Sequence, residues 1–85
     1  MAYRIEFSRQ ARRHFDDLPA RIKARIAPRI DALAENPRSP GCQHLAGPDD
    51  LYRIRVGDYR AIYRIEDDIL HVLVVRIGHR REIYR

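Results

Sequence analysis

Every tyrosine of this chain is followed by an arginine: Tyr3-Arg4, Tyr52-Arg53, Tyr59-Arg60, Tyr63-Arg64 and Tyr84-Arg85. Three of these pairs fall in residues 51–65, LYRIRVGDYRAIYRI, which also contain Arg55. A guanidinium is a flat fork of donors that matches phosphate and does not readily lose its charge. An aromatic ring beside it offers a surface on which a nucleobase can stack. The tail, GHRREIYR, repeats the combination with His79, Arg80, Arg81 and Tyr84. Such residues suit binding of a phosphodiester chain and stabilisation of negative charge on phosphoryl oxygens.

Other residue types offer less. A lone Cys42 excludes an internal disulfide and cannot build a thiolate metal site by itself. His14, His44 and His71 show no ligand spacing with one another or with Cys42. Asp49-Asp50 and Asp67-Asp68 fall in predicted loops and read as turn formers rather than a magnesium site. There is no phosphate-binding glycine loop and no nucleophile elbow. Neither a metal nor another cofactor is expected.

Eighty-five residues make one domain, residues 1–85, with a modest core. An apolar fraction of 45% argues against global disorder. The net charge of +5 is spread evenly along the chain and by itself points only weakly to an anionic partner. The type of cation says more, because Lys23 is the only lysine among 17 basic residues. A genome rich in G and C would also raise arginine. MAYRIEF lacks the apolar core of a signal peptide. The longest apolar stretch, ILHVLVVRI, is far too short to span a bilayer. A soluble, cytoplasmic protein without membrane contact is expected.

The elements that must position these residues follow from periodicity. Tyr3, Ile5 and Phe7 alternate with Arg4 and Glu6, the pattern of a half-buried strand. Ser8 can cap a helix with Ala11, Phe15 and Leu18 inward. Pro19 suits the first turn of a second helix, whose Ile22, Ile26, Ile30 and Leu33 form one stripe. Pro28 predicts a kink or break there, and Asn36-Pro37 an end. Residues 37–50 read as a long loop, of the kind that is often functional or mobile. Strands are predicted over 51–56, 59–66 and 69–77, joined by tight turns at Gly57-Asp58 and Asp67-Asp68. The last is apolar on both faces, hence internal, and needs residues 3–7 as its second neighbour. The predicted fold is α+β, in the order β-α-α-β-β-β: a mainly antiparallel four-stranded sheet packed on a helical hairpin.

With a two-residue turn at Gly57-Asp58, Arg55 lies opposite Arg60 and Arg53 opposite Ile62. Alternation then places Arg53, Arg55, Arg60 and Arg64 on one face. Tyr52, Ile54, Val56, Tyr59, Ala61, Tyr63 and Ile65 share the other, the natural face for the helices. A solvated face whose arginine stems cover apolar surface would have the same composition. Like charges directly across a hairpin are unfavourable, however, and a purely structural face tends to mix signs. Arg60 and Arg80 are both expected near the surface.

HLAGPDDLYRIRVGDYRAIYRIEDD followed by VVRIGHRREIYR resembles the RelE branch of the RelE/ParE toxin superfamily. The resemblance spans nearly the whole chain. Its most specific parts are the Tyr-x-Ile-x strand, the Gly-x-Tyr-Arg hairpin and the terminal Gly-x-Arg…Tyr. It implies the toxin of a type II toxin–antitoxin system, neutralised by a cognate RelB-like antitoxin. It further implies a ribosome-dependent endoribonuclease that cuts mRNA in the A site without a metal. A ribose 2′-hydroxyl would attack the adjacent phosphorus to leave a 2′,3′-cyclic phosphate and a 5′-hydroxyl.

By the same resemblance Arg60 contacts the scissile phosphate, Arg80 stabilises charge or protonates the leaving group, and Tyr84 orients or stacks on the nucleotide. Arg53, Arg55, Arg64 and Arg81 would bind RNA, with Arg55 also close to the chemistry. Arg53 and Arg55 stand where the best-studied members have lysines. Arginine cannot serve as a base as a lysine of lowered pKa can, and His79 is the alternative that its chemistry suggests. Two other functions share the fold: a ParE-like inhibitor of DNA gyrase without nuclease activity, and a non-catalytic RNA-binding module.

Overall fold

The computed structural model describes residues 2–81, so Tyr84 lies outside the described residues. Along the chain run β1 (Arg4–Phe7), α1 (Arg9–Asp16), α2 (Ala20–Asp31) and a 3₁₀ turn (Ala32–Ala34). They are followed by β2 (Gln43–His44), β3 (Leu51–Val56), β4 (Tyr59–Glu66), a 3₁₀ turn (Asp67–Ile69) and β5 (His71–His79). The α+β fold is as expected, with five strands in place of four, ordered β1-β5-β4-β3-β2. β1 is parallel to β5 and the other pairs are antiparallel. The additional strand, β2, lies within the expected loop, where Gln43 and His44 pair with Arg53 and Tyr52. Two polar residues carry no strand period; pairing with the open edge of β3 is what makes them a strand.

The helices form for the expected reasons. Ser8 Oγ accepts the amide of Ala11 at 3.0 Å and caps α1. Ile22, Ile26, Ile30 and Leu33 are all buried, each a turn from the next. Pro19 is the N-cap of α2 rather than part of its first turn. Pro28 does not break α2, which runs on to Asp31. Both Pro28 and Ala24 are exposed, so the carbonyl deprived of a donor faces water. Against these helices the sheet buries Ile54, Val56, Ala61, Tyr63, Ile65, Val72, Val74 and Ile77 in one core.

Residues 37–50 are tied down at their start. The hydroxyl of Tyr63, which has no exposed surface, donates to the Pro37 carbonyl at 2.7 Å. Arg38 forks onto Asp67 at 3.0 and 2.8 Å and lies over the ring of Tyr52. Asp67 also accepts from the Tyr3 hydroxyl at 2.8 Å. The expected two-residue turn at Asp67-Asp68 is instead the 3₁₀ turn followed by Leu70 at φ +49°, so β5 starts and ends two residues late.

Hydrogen bonds from Arg38 and then Tyr3 hold Asp67 down from 3.8 to about 2. A depressed carboxylate stabilises the fold above its unfolded pKa and loses that effect as pH falls through the folded one. Asp67→Asn should therefore lower thermal stability modestly at pH 7, since the pair is half exposed. The difference from the unmodified chain should vanish as pH drops from 3.8 to about 2. Melting curves across that range check it.

Candidate nucleic-acid interface

The hairpin has the predicted register. Val56 pairs with Tyr59, Arg55 with Arg60, and Arg53 with Ile62, around a turn in which Gly57 has φ +60°. Ile54, Val56, Ala61, Tyr63 and Ile65 enter the core, so Arg53, Arg55, Arg60 and Arg64 share the face away from the helices. Arg55 is exposed, while Arg53 and Arg64 are half-buried. Arg53 donates to Gln43 on β2, which steadies its fork at the sheet edge.

Arg60 is not at the surface as expected: it retains only 8% of its accessible area. Its partner on β5 is Gly78. Directly opposed side chains stand about 5 Å apart, and glycine leaves that space open for the guanidinium. Arg60 is thus a cation sunk into the face and hemmed in on several sides. Ile62, on the same face, is buried to 4% between its register partners Arg53 and Arg76. The arginine stems here do cover apolar surface, as the purely structural account supposed.

A β-bulge decides the rest. Ile62 pairs with Arg76 but Tyr63 with Val74, which leaves Val75 without a counterpart on β4. Plain alternation from Val72 and Val74 would send residues 76, 78 and 80 into the core face. The extra residue reverses this. Ile77 enters the core, at 2% exposure, and Arg76 and Gly78 join the arginine face. Arg80 follows them by alternation, and its amide continues the ladder by donating to the Asp58 carbonyl at 2.9 Å.

Helix α1 holds the bulge in place. The Ser8 hydroxyl donates to the Val75 carbonyl at 3.2 Å while its oxygen caps the helix. His14 Nδ1 accepts the Ile77 amide at 3.3 Å. The helix and its cap therefore bind the bulged residue itself and the second residue beyond it.

The bulge separates residues that are adjacent in the tail. His79 pairs with Tyr59 and meets its ring edge-on, centroids 5.5 Å apart, on the helix side of the sheet. There it lines a cleft of about 310 Å³ with His14, Asp17, Leu18 and Ile77. Its Nδ1 faces the amide of Arg81 at 3.3 Å, and Arg81 is exposed beyond the strand. The structure thus puts Arg53, Arg55, Arg60 and Arg64 on one face, with Arg80 exposed in the turn after β5, and turns His79 to the other side. Sequence reasoning missed Arg76 on the same face. The signal was present: Val74 and Ile77, both apolar and three apart, fit one strand face only if a bulge lies between them. Among the described residues no group of three or more His, Cys, Asp and Glu side chains is placed to hold a metal ion.

Residues 5–84 match the family described as the ParE toxin of type II toxin–antitoxin systems. Over 89 residues the chain is 36% identical to toxin RelG of Mycobacterium tuberculosis, covering all of this chain and 99% of that one. The chain belongs to the RelE/ParE toxin superfamily. Within it the likeness is to RelE-type members. An mRNA interferase toxin RelE of Escherichia coli is 27% identical over 88 residues, covering 99% of this chain and 92% of that toxin. The toxin–antitoxin complex RelBE2 of M. tuberculosis contains a chain that superposes with a TM-score of 0.82 at 30% identity, covering 93% of this chain and 99% of that one. This chain is therefore a RelE-like toxin of a type II system, and among its described residues no helix is long and apolar enough to cross a membrane.

Proposed function

We propose that the protein is a ribosome-dependent mRNA endoribonuclease that cleaves by metal-independent 2′-hydroxyl attack. The observation that carries this reading is the arginine face, with Arg60 sunk opposite Gly78, Arg55 paired with it, and Arg80 following at the strand end with its amide on the Asp58 carbonyl. In the reaction O2′ loses its proton and bonds to phosphorus, the bond from phosphorus to O5′ breaks, and O5′ takes up a proton. Charge grows on the phosphoryl oxygens and on O5′. Guanidinium groups fixed in advance stabilise it without reorganising. Arg60 is assigned to the scissile phosphate, Arg80 to the charge developing on the leaving side, and Tyr84 to the nucleotide. Arg53, Arg64, Arg76 and Arg81 hold the flanking strand. A relative 27% identical to this chain is named an mRNA interferase, which supports mRNA as the substrate.

None of these arginines can act as a base near neutral pH, and His79 faces the other side of the sheet. Orientation of the 2′-hydroxyl by the ribosome is then the larger contributor, with proton loss to solvent. The single-turnover rate should climb steadily from about pH 6 to about pH 9 in both the unmodified chain and His79→Ala. A plateau near pH 7 that disappears in His79→Ala would restore histidine as the base.

The cognate partner is a RelB-like antitoxin that masks the arginines with an acidic amphipathic segment. Electrostatic complementarity favours that pairing, and relatives were solved as toxin–antitoxin complexes. A second reading is a gyrase inhibitor, since the matching family is described by its ParE members. The purified chain should cut mRNA on programmed ribosomes, leaving a 2′,3′-cyclic phosphate, and leave gyrase supercoiling untouched. Gyrase inhibition with intact mRNA would reverse the choice.

A further inference from the structure

The arginine face is not the only basic surface. Arg21, Arg25 and Arg29 follow one another at four-residue spacing along α2, and all three are exposed. Each precedes one of the buried Ile22, Ile26 and Ile30, so the stripe runs alongside the seam by which α2 packs on the sheet. At a rise of 1.5 Å per residue the cations succeed one another about every 6 Å. Asp31 is the only acid on this helix, and no acidic side chain lies within ion-pair distance of any of the three among the described residues. By contrast the other cations of the helical layer include Arg12 and Lys23, which sit over the rings of Phe7 and Phe15.

The stripe joins the arginine face at one point. The guanidinium of Arg25 lies over the hairpin tip, 3.5–3.9 Å from the position a Cβ would take at Gly57. Gly57 directly follows β3, two residues from Arg55, and the Asp58 carbonyl beside it receives the amide of Arg80. A basic track therefore passes from the candidate active face, round the hairpin tip, and along the flank of α2. Like charges at this helical spacing repel one another, so the arrangement is not explained by helix stability.

We infer that the Arg21–Arg25–Arg29 stripe is a second RNA-contacting surface that takes the phosphate backbone of double-helical RNA. Proteins that bind single strands combine charge with aromatic rings on which bases stack, and α2 contains no aromatic residue. A row of evenly spaced guanidinium groups instead suits the sequence-independent backbone of a duplex, which is read by shape and phosphate. The inference rests on RNA being the target of this toxin. It assigns the folded RNA around the cleavage site to α2 and the substrate strand to the sheet.

The test compares the full chain with an Arg21→Gln, Arg25→Gln, Arg29→Gln variant. Glutamine keeps helix propensity and removes the charge. The probes are a blunt RNA duplex and an unstructured single strand of equal length, titrated by fluorescence anisotropy over a range of salt. On the duplex, the slope of log affinity against log salt should fall by about two to three in the variant, close to one for each phosphate no longer neutralised. Affinity for the single strand should change less than threefold. On programmed ribosomes the half-saturating concentration should rise about tenfold. An unchanged duplex slope overturns the inference, as does a loss confined to the single strand or to an acidic antitoxin peptide. The duplex arm does not depend on cleavage, so it is decided even if the nuclease assignment fails. Circular dichroism melts of both chains must coincide; a variant that melts early is replaced by the three single substitutions, whose duplex slopes should each fall by about one.

Discussion

Replacing Arg60 with lysine should lower single-turnover cleavage on the ribosome by about 10²-fold, the scale seen when one preorganised donor is removed from a charge-stabilising site. Lysine keeps the positive charge and a long apolar stem in the slot opposite Gly78, and removes only the planar fork. It is a cleaner probe than alanine, because Arg60 is 8% exposed and truncation would also empty a packed position. Arg80→Ala should cost a similar factor in rate. Arg80 is exposed, so its folding stability should move by less than about 0.5 kcal/mol. The double variant should lose less than the product of the two factors if both groups stabilise one developing charge. Full cleavage by an Arg60→Lys, Arg80→Ala chain would defeat the nuclease assignment. Growth arrest persisting in that chain, with gyrase inhibited, would transfer the case to the ParE-like reading.

The second large effect is on folding. Replacing Ile77 with aspartate should leave the chain predominantly unfolded at room temperature. Beyond the bulge Ile77 faces the core and is 2% exposed, while Arg76 beside it is exposed on the other face. Losing the burial of an isoleucine costs about 1.5–3 kcal/mol. An unpaired carboxylate in the apolar core costs several kcal/mol more. Together these approach the whole stability of a small domain, roughly 5–15 kcal/mol. Arg76→Asp puts the same side chain one residue earlier, on the open face, and should remain folded, which separates the face from the substitution. Far-UV circular dichroism and urea titration distinguish the outcomes. An Ile77→Asp variant of normal stability, or an unfolded Arg76→Asp variant, would show that the bulge does not set these faces.

Local signals account for much of this molecule. The alternation in residues 51–65 and the turn at Gly57-Asp58 were enough to pair Arg55 with Arg60 and to separate an arginine face from an apolar one. Both follow from interactions between residues close in sequence: side chains two apart share a strand face, and a two-residue turn leaves one register open. The stripe of Ile22, Ile26, Ile30 and Leu33 and the Ser8 cap were legible on the same grounds. The family resemblance added roles for Arg60, Arg80 and Tyr84, which periodicity alone does not supply.

What only the tertiary structure decided lies where distant segments meet. β2 exists because the edge of β3 has unpaired groups to offer. Arg60 is buried because β5 places Gly78 against it, a pairing between residues eighteen positions apart. Pro28 stays within α2 because its freed carbonyl faces water and the isoleucine stripe is held by the sheet. The largest such decision is the bulge at Val75, held by Ser8 and His14 from α1 and its cap. A strand's period is two, so a single unpaired residue exchanges every face beyond it. That exchange sends His79 to the helices and Arg80 to the arginines. The composition of the tail is the same either way; hydrogen bonds from residues more than sixty positions away in the chain determine which of its side chains faces the arginines and which the helices.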